Sequence, residues 1–452
     1  MPIMNTNRRS FLQTAAAGAV TASMPALWLN QASAQDRPPN IIYVMADDLG
    51  YGDLGCYGQT EIQTPNIDRM AREGMRFIQH YSGSTVCAPS RCCLMTGYHT
   101  GHCRVRGNKL HPLLPEDVTV AEVLQEAGYA TGIVGKWGLG EPETTGLPNR
   151  QGFDYWYGFL NQRRAHNYFP DYLWRNEEKD FFDGWPYAHN VFTDEALNFI
   201  EDNHQQPFFL YIAYTIPHAF NEGGINGMPI RSQGQYADKD WPWNQRNLAA
   251  MISLMDDDMG KIFALLDELG IDDNTIVFFT SDNGPHREGG NNPDFFDSNG
   301  PLRGIKRDLY EGGIRTPMIV RWPGHIPAGT VSDQVWTHWD FFPTAADLAG
   351  AEIPEGLDGI SMKNALLGQA QEDHEFLYWE FHERGFNQAA LWQGRWKGVR
   401  KNRPDAPLEL YDLDNDIGEQ NNLADQHPEI VEKLTAYLAQ ARTESEFYPI
   451  PG

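Results

Sequence analysis

Asn40-Ile41-Ile42-Tyr43-Val44-Met45-Ala46-Asp47-Asp48 is apolar without alternation and then turns abruptly acidic. A half-exposed strand would alternate. An unbroken β-branched and aromatic run suits a strand covered on both faces, as in a parallel sheet between helical layers. Four other runs share this character: Thr131 to Val134, Phe208 to Tyr214, Thr275 to Phe279 and Met318 to Val320. All five are read as buried parallel strands. Helical patterns separate them, at Thr119 to Ala127, Asp194 to Asp202, and Gln245 to Leu269, which stops at Gly270. The alternation predicts an α/β fold over residues 35–370, a large mostly parallel sheet sandwiched by helices, with ligands beyond the carboxyl ends of the strands. Residues 371–452 change texture. Short strand-like pieces at Phe376 to Phe381, Ala389 to Trp392 and Trp396 to Val399 precede an amphipathic helix from Pro428 to Ala441. They predict a smaller antiparallel sheet with one helix packed on it.

The chain has 452 residues, 41% of them hydrophobic, and a formal net charge of -26. This length supports a substantial core, and the composition excludes a membrane channel or a disordered scaffold. So acidic a surface repels polyanions, so no nucleic-acid partner is expected, although a locally basic pocket could still draw in a small anion. Residues 1–34 stand apart. Asn7-Arg8-Arg9-Ser10-Phe11-Leu12-Gln13 precedes an apolar run from Ala15 to Leu29 and the small-residue pattern Ala32-Ser33-Ala34. This resembles a twin-arginine export signal. The run is too short to span a bilayer, so no membrane anchor is expected and the mature protein is placed in the periplasm or outside the cell. The five cysteines, Cys56, Cys87, Cys92, Cys93 and Cys103, are odd in number and confined to one stretch. They do not read as a disulfide framework, and one is left for chemistry.

The polar residues that follow the strands carry the functional argument. Asp47 and Asp48 follow the first run, and Asp282 and Asn283 follow another. Three carboxylates and an amide oxygen at one sheet edge form a hard donor set suited to Ca²⁺ or Mg²⁺ and poor for zinc. Lys136 and His218 follow two further strands, and Lys306 sits in the loop Pro301-Leu302-Arg303-Gly304-Ile305-Lys306. Two lysines, a histidine and a divalent cation converging on one point describe an anion site. In Cys87-Ala88-Pro89-Ser90-Arg91, Pro89 fits the first turn of a helix, with Cys87 at its amino end and Arg91 four residues on, on the same face. Helix dipole, Arg91 and a metal would together favour an anionic atom at position 87.

Cys-x-Pro-Ser-Arg followed by Thr96-Gly97 resembles the type I sulfatase signature, within the alkaline phosphatase superfamily. The resemblance extends to Gly135-Lys136-Trp137, Pro217-His218, Thr280-Ser281-Asp282-Asn283-Gly284, and Leu302-Arg303-Gly304 through Glu311-Gly312-Gly313-Ile314-Arg315. It implies that a maturase oxidises Cys87 to formylglycine, whose hydrated aldehyde attacks sulfate sulfur. It also implies that Asp47, Asp48, Asp282 and Asn283 bind Ca²⁺ together with residue 87, with Mg²⁺ as the alternative ion. Arg91 would orient the diol, and Lys136, His218 and Lys306 would clamp sulfate, with Lys136 or His218 protonating the leaving oxygen. Twin-arginine export fits, because modification and folding could precede transport.

One departure stands out. Many members read Gly-Lys-Trp-His-Leu-Gly, whereas this chain has Gly138 where that histidine stands. His286, after Asn283-Gly284-Pro285, and His166, in Arg163-Arg164-Ala165-His166, are the candidates to contact substrate instead. Aromatic clusters at 153–159, 168–174, 181–187 and 241–243 suit stacking on sugar rings. The expected substrate is a sulfated sugar from an algal galactan such as carrageenan, or from a glycosaminoglycan, attacked at a chain end. The alternatives are a broad arylsulfatase, a phosphonate or phosphate monoester hydrolase, and a non-catalytic binder of sulfated glycans.

Overall fold

The computed structural model describes residues 37–109 and 111–451, so the export signal read over residues 1–34 lies outside the described residues. Ten strands form one sheet, in the order Thr330–Ser332, Met75–Phe77, Met318–Arg321, Thr275–Ser281, Asn40–Asp47, Phe208–Pro217, Ala130–Lys136, Tyr155–Phe159, Tyr172–Arg175 and Glu178–Phe181. The run from Thr275–Ser281 through Tyr155–Phe159 is parallel throughout. Asn40–Asp47 lies inside it, with Ile41 opposite Phe209 on one side and Ile276 on the other. Its side chains alternate between two cores. Ile41, Tyr43 and Met45 enter the core on one face, and Ile42, Val44 and Ala46 enter the core on the other. Two covered faces need apolar residues at every position, which explains the missing alternation.

Met318–Arg321 corrects the reading of five parallel strands, because it pairs antiparallel with both Thr275–Ser281 and Met75–Phe77. Between Ser281 and Met318 the only helix among the described residues is the four-residue turn Glu311–Ile314. Without a crossover helix the chain never returns to the other end of the sheet, so it re-enters from the carboxyl edge running the opposite way. The helix read from Asp194 begins earlier and spans Ala188–Asn203. His189 lies on its buried face, with Nε2 2.8 Å from Asp258 Oδ2, and this buried polar pair hides the first turn from an apolar pattern. The aromatic clusters near residues 168–187, for which no strand was expected, contain an antiparallel ribbon that pairs Tyr172 with Phe181 and Trp174 with Lys179.

Beyond the large sheet, Phe376–Phe381, Asn387–Trp392, Trp396–Arg400 and Glu409–Asp412 form an antiparallel sheet of four strands. Leu377, Trp379 and Phe381 pack into the core of the large domain, while Tyr378 faces Leu434 and Leu438 of the helix Pro428–Gln440. Glu380 pins this layer. Its buried carboxylate accepts from Arg106 at 3.1 Å, Arg442 at 2.7 Å and Tyr378 at 2.8 Å, and lies 2.9 Å from His382 Nε2. Burial opposes its charge, but His382 and the two guanidiniums outweigh that and hold the carboxyl down at about 2.

Glu380→Ala would leave two guanidiniums without their shared partner and is expected to cost about 3–5 kcal/mol, read from urea unfolding at neutral pH. The folded-state pKa lies below the ordinary glutamate value of 4.5, so the stabilisation is complete above that pH and is lost as pH falls towards about 2. Over that interval the wild type should lose stability more steeply than Glu380→Gln.

Candidate active site

Asp47 is the last residue of its strand, and Asp48 turns back over the sheet edge at a φ of 67°. That left-handed conformation is tolerated by aspartate at a cost of roughly 1 kcal/mol. It aims the Asp48 amide at Asp282 Oδ1, 3.1 Å away. Asp282 and Asn283 leave the adjacent strand at the same level, and the Asn283 side-chain amide donates to Asp48 Oδ1 at 2.7 Å. Lys136 ends the Ala130–Lys136 strand, with Nζ 2.6 Å from Asp47 Oδ2. His218 directly follows Phe208–Pro217. Neighbouring strands are under 5 Å apart, so residues leaving several of them at one level must meet.

Cys87 opens the helix Cys87–Thr96, whose residues are all buried. Its Sγ lies 3.4 Å from Asp47 Oδ1. One turn on, Arg91 donates through Nη2 to Asp282 Oδ2 at 2.7 Å and lies 3.6 Å from Asp47 Oδ2. Its Nη1 donates to the Lys136 carbonyl at 3.0 Å and to the Tyr211 hydroxyl at 3.4 Å. Burial, reinforced by Asp47, pushes the Cys87 thiol far up against the opposing pull of Lys136 and Lys306. An unmodified thiol here stays protonated at neutral pH, and only the thiolate is a good nucleophile. Burial followed by repulsion from Asp47 raises the Asp282 carboxyl, with Arg91 opposing.

Lys306 reaches in from its loop, its Nζ 2.7 Å from Asp48 Oδ2 and 2.9 Å from His218 Nε2. His218 Nδ1 donates to the Ala219 carbonyl at 2.6 Å, so Nε2 carries the lone pair that meets the ammonium. Burial first, then Lys306 and His166, press the His218 pKa well below the ordinary range, so its ring is neutral. Three buried carboxylates thus face three buried cations, Arg91, Lys136 and Lys306.

The two histidines proposed from sequence both lie against His218. His166 stacks on it with ring centroids 4.0 Å apart, and the His286 ring lies roughly parallel to it at 5.8 Å. They differ in what they offer. His286 Nε2 donates to the Pro217 carbonyl at 3.2 Å and its Nδ1 accepts from the Glu288 amide at 3.0 Å, so both nitrogens are engaged by main chain. His166 Nδ1 accepts from the Asn221 amide at 3.4 Å, leaving Nε2 without a hydrogen bond among the described residues. Burial, then Lys136 and Lys306, take the His166 pKa down to about 2.

A sulfatase family model matches residues 39–351, and a model for the C-terminal part of N-sulphoglucosamine sulphohydrolase matches residues 305–444. The chain belongs to the sulfatase family. It is 35% identical to N-acetylgalactosamine-6-sulfatase of Mus musculus over 402 residues, 81% of this chain and 72% of the relative. It is 31% identical to N-acetylgalactosamine-6-O-sulfatase of Bacteroides thetaiotaomicron, covering 90% of this chain and 94% of that one. The crystal structure of Ps i-CgsB in complex with k-i-k-neocarrahexaose superposes with a TM-score of 0.79 at 30% identity, covering 90% of this chain and 94% of the other. These relationships make the protein a sulfuric ester hydrolase of the alkaline phosphatase superfamily.

In this sulfatase, Asp47, Asp48, Cys87 and His218 each bring a ligand-type atom within 4.8 Å of the others. Asn283 Oδ1 is buried without a donor. An orphaned amide oxygen among three carboxylates fits a hard cation. Gly138 has a φ of 80°, and the Gln162 side-chain amide fills the space that a side chain at 138 would enter. The sequence reading missed this glutamine, which lies far from residue 138 along the chain. It also missed Glu288, whose Oε1 is 2.5 Å from Arg307 Nη1 and whose Oε2 is 3.6 Å from Lys306 Nζ. Arg307 in turn lies 3.2 Å from Glu383, in the hairpin after Phe376–Phe381. The one available signal was proximity along the chain, since Glu288 lies two residues after His286 and Arg307 directly follows Lys306.

Arg91→Ala is expected to destabilise the fold by about 3–5 kcal/mol, measured by guanidinium chloride unfolding, because Asp282 loses its buried partner. Arg91→Lys should not restore stability, since an ammonium lacks the planar fork that reaches Asp282, the Lys136 carbonyl and Tyr211 together.

Proposed function

We propose that this chain hydrolyses sulfate monoesters of sugars through a formylglycine made from Cys87, with Ca²⁺ as its metal, after export by a twin-arginine signal to the periplasm or the cell exterior. The observation that carries the proposal is the state of Cys87. It lies beside Asp47 at the head of a buried helix, where burial and the Asp47 carboxylate raise the thiol pKa and disfavour the thiolate. A maturase that passes electrons to an external oxidant would replace the thiol by an aldehyde, with loss of the sulfur. Water added across that carbonyl gives two hydroxyls, one to attack sulfur and expel the alcohol, the other to collapse and release sulfate.

Asp47, Asp48, Asp282 and Asn283, with the oxygen of modified residue 87, would hold Ca²⁺, which would supply positive charge beside the nucleophile and the sulfate. Arg91 orients the attacking group from one helical turn away. Lys136 and Lys306 clamp the sulfate oxygens. The Nδ1 proton of neutral His218 is tied to Ala219, so Lys136 is assigned as the donor to the leaving oxygen. His166 offers the substrate an open Nε2–H, the role that we give it over His286. The substrate class draws on the relatives, two named for N-acetylgalactosamine 6-sulfate and one solved with a neocarrahexaose. A galactan or glycosaminoglycan fragment, trimmed from its end, fits them and the acidic surface.

A mass spectrum of the tryptic peptide Phe77 to Arg91, from protein made beside a formylglycine-generating enzyme, should show a loss of about 18 Da. An unaltered cysteine from active protein would overturn the proposal. With the modified enzyme, His166→Ala should raise KM for a sulfated galactose about tenfold, worth ~1.4 kcal/mol, with a smaller change in kcat.

A further inference from the structure

The segment that follows Lys136 and the segment that leads to His166 enclose, together with the edge ribbon, a cavity of about 490 Å³. Its floor is tied to the catalytic strand. The amides of Trp137 and Gly138 donate to the carbonyls of Phe159 and Leu160, and the Asn161 side chain donates to Glu141 at 2.7 Å. Its far wall is the ribbon Tyr172–Arg175 with Glu178–Phe181. Trp174 pairs with Lys179 and Tyr172 with Phe181, so these four side chains share one face. Leu173 and Asp180 point the other way.

That face combines rings with positive charge. The Arg164 guanidinium sits 4.0 Å from the centre of the Tyr172 ring, and Lys179 Nζ lies 4.5 Å from that ring and 5.5 Å from that of Trp174. Phe181 is 67% exposed at the end of the face. Arg163 and Arg164 are paired with Glu222 and Asp171, whereas Lys179 has no ion-pair partner among the described residues. Lys179 thus presents an ammonium above two aromatic rings without a carboxylate partner among those residues. A pyranose bearing an anionic group satisfies both features, since its apolar face stacks on a ring while its anion meets the ammonium.

We propose that this cavity binds the second sugar unit of the substrate, the neighbour of the sugar that loses sulfate, through an anionic group on that neighbour held by Lys179 above Tyr172 and Trp174. The inference rests on the glycan reading above. The anion could be a second sulfate or a uronate carboxylate, and the chemistry is shared.

The test is calorimetric titration of Cys87→Ala protein, which cannot turn substrate over, with three tetrasaccharides. One is a galactan sulfated only on its terminal unit, the second carries a further sulfate on the adjacent unit, and the third has a sulfated terminal amino sugar beside a uronate. Either the second or the third should bind about tenfold tighter than the first, and whichever does names the source of the anion. Lys179→Ala should remove that advantage and leave the first ligand unchanged. Because Lys179 is exposed, the variant should fold. Equal weakening of all three ligands by Lys179→Ala, or no weakening of any, would overturn the subsite while leaving the glycan reading intact. Failure of all three to bind would remove the subsite and the glycan reading together, and hydrolysis of 4-nitrophenyl sulfate by the mature enzyme would then show that the sulfatase chemistry survives without either.

Discussion

Three carboxylates at the end of the sheet cannot be buried unless positive charge is buried with them, and the rest of the molecule is arranged around that requirement. Two unit charges 4 Å apart interact by about 4 kcal/mol at an effective dielectric constant near 20, and an unpaired buried charge costs several kcal/mol more. Asp47, Asp48 and Asp282 meet this constraint by drawing on separate parts of the chain. Arg91 comes from a helix, Lys136 from the next strand but one, and Lys306 from a long loop. The balance is exact in sign and count, so a divalent cation is accommodated most readily when an anion arrives with it. A sulfate ester is such an anion, and in the proposed reaction the lysines that rest on the carboxylates would receive it.

Where each side chain emerges follows from the sheet. Strands wrapped on both faces announce themselves by unbroken apolar runs, and the first polar residue after each marks the sheet edge, which is why Asp47, Lys136, His218 and Asp282 could be read as neighbours from local sequence. The helix at Cys87 was equally open to reading, because Pro89 and the spacing to Arg91 are local features. What escaped depends on distant parts of the chain. The direction of Met318–Arg321 is decided by the path of the loop before it, and its own apolar residues suit either direction. The ribbon at residues 172–181 looks like loop because its alternation mixes aromatic with charged side chains. Gln162 behind Gly138, and the path from Lys306 through Glu288 and Arg307 to Glu383, are contacts between segments that no spacing rule connects.

The second sheet therefore does more than cover the first. Glu380 fastens it to Arg106, on the stretch that follows the Cys87 helix, and Glu383 in the adjoining hairpin meets Arg307 beside Lys306. A displacement of this layer would be felt at the loop that carries Lys306. The stack of His166, His218 and His286 carries a comparable coupling on the other side, where the loop ahead of the ribbon meets the strand end.

Cys87 is only 2% exposed, at the head of a helix buried from end to end. No second protein could close its own active site around that side chain once the chain has collapsed over it. If Cys87 is altered as proposed, the alteration would be a race against folding, run while the polypeptide is still open. On that reading a molecule that folds before it is altered would remain inert, and later exposure to the altering enzyme would not rescue it without first unfolding it.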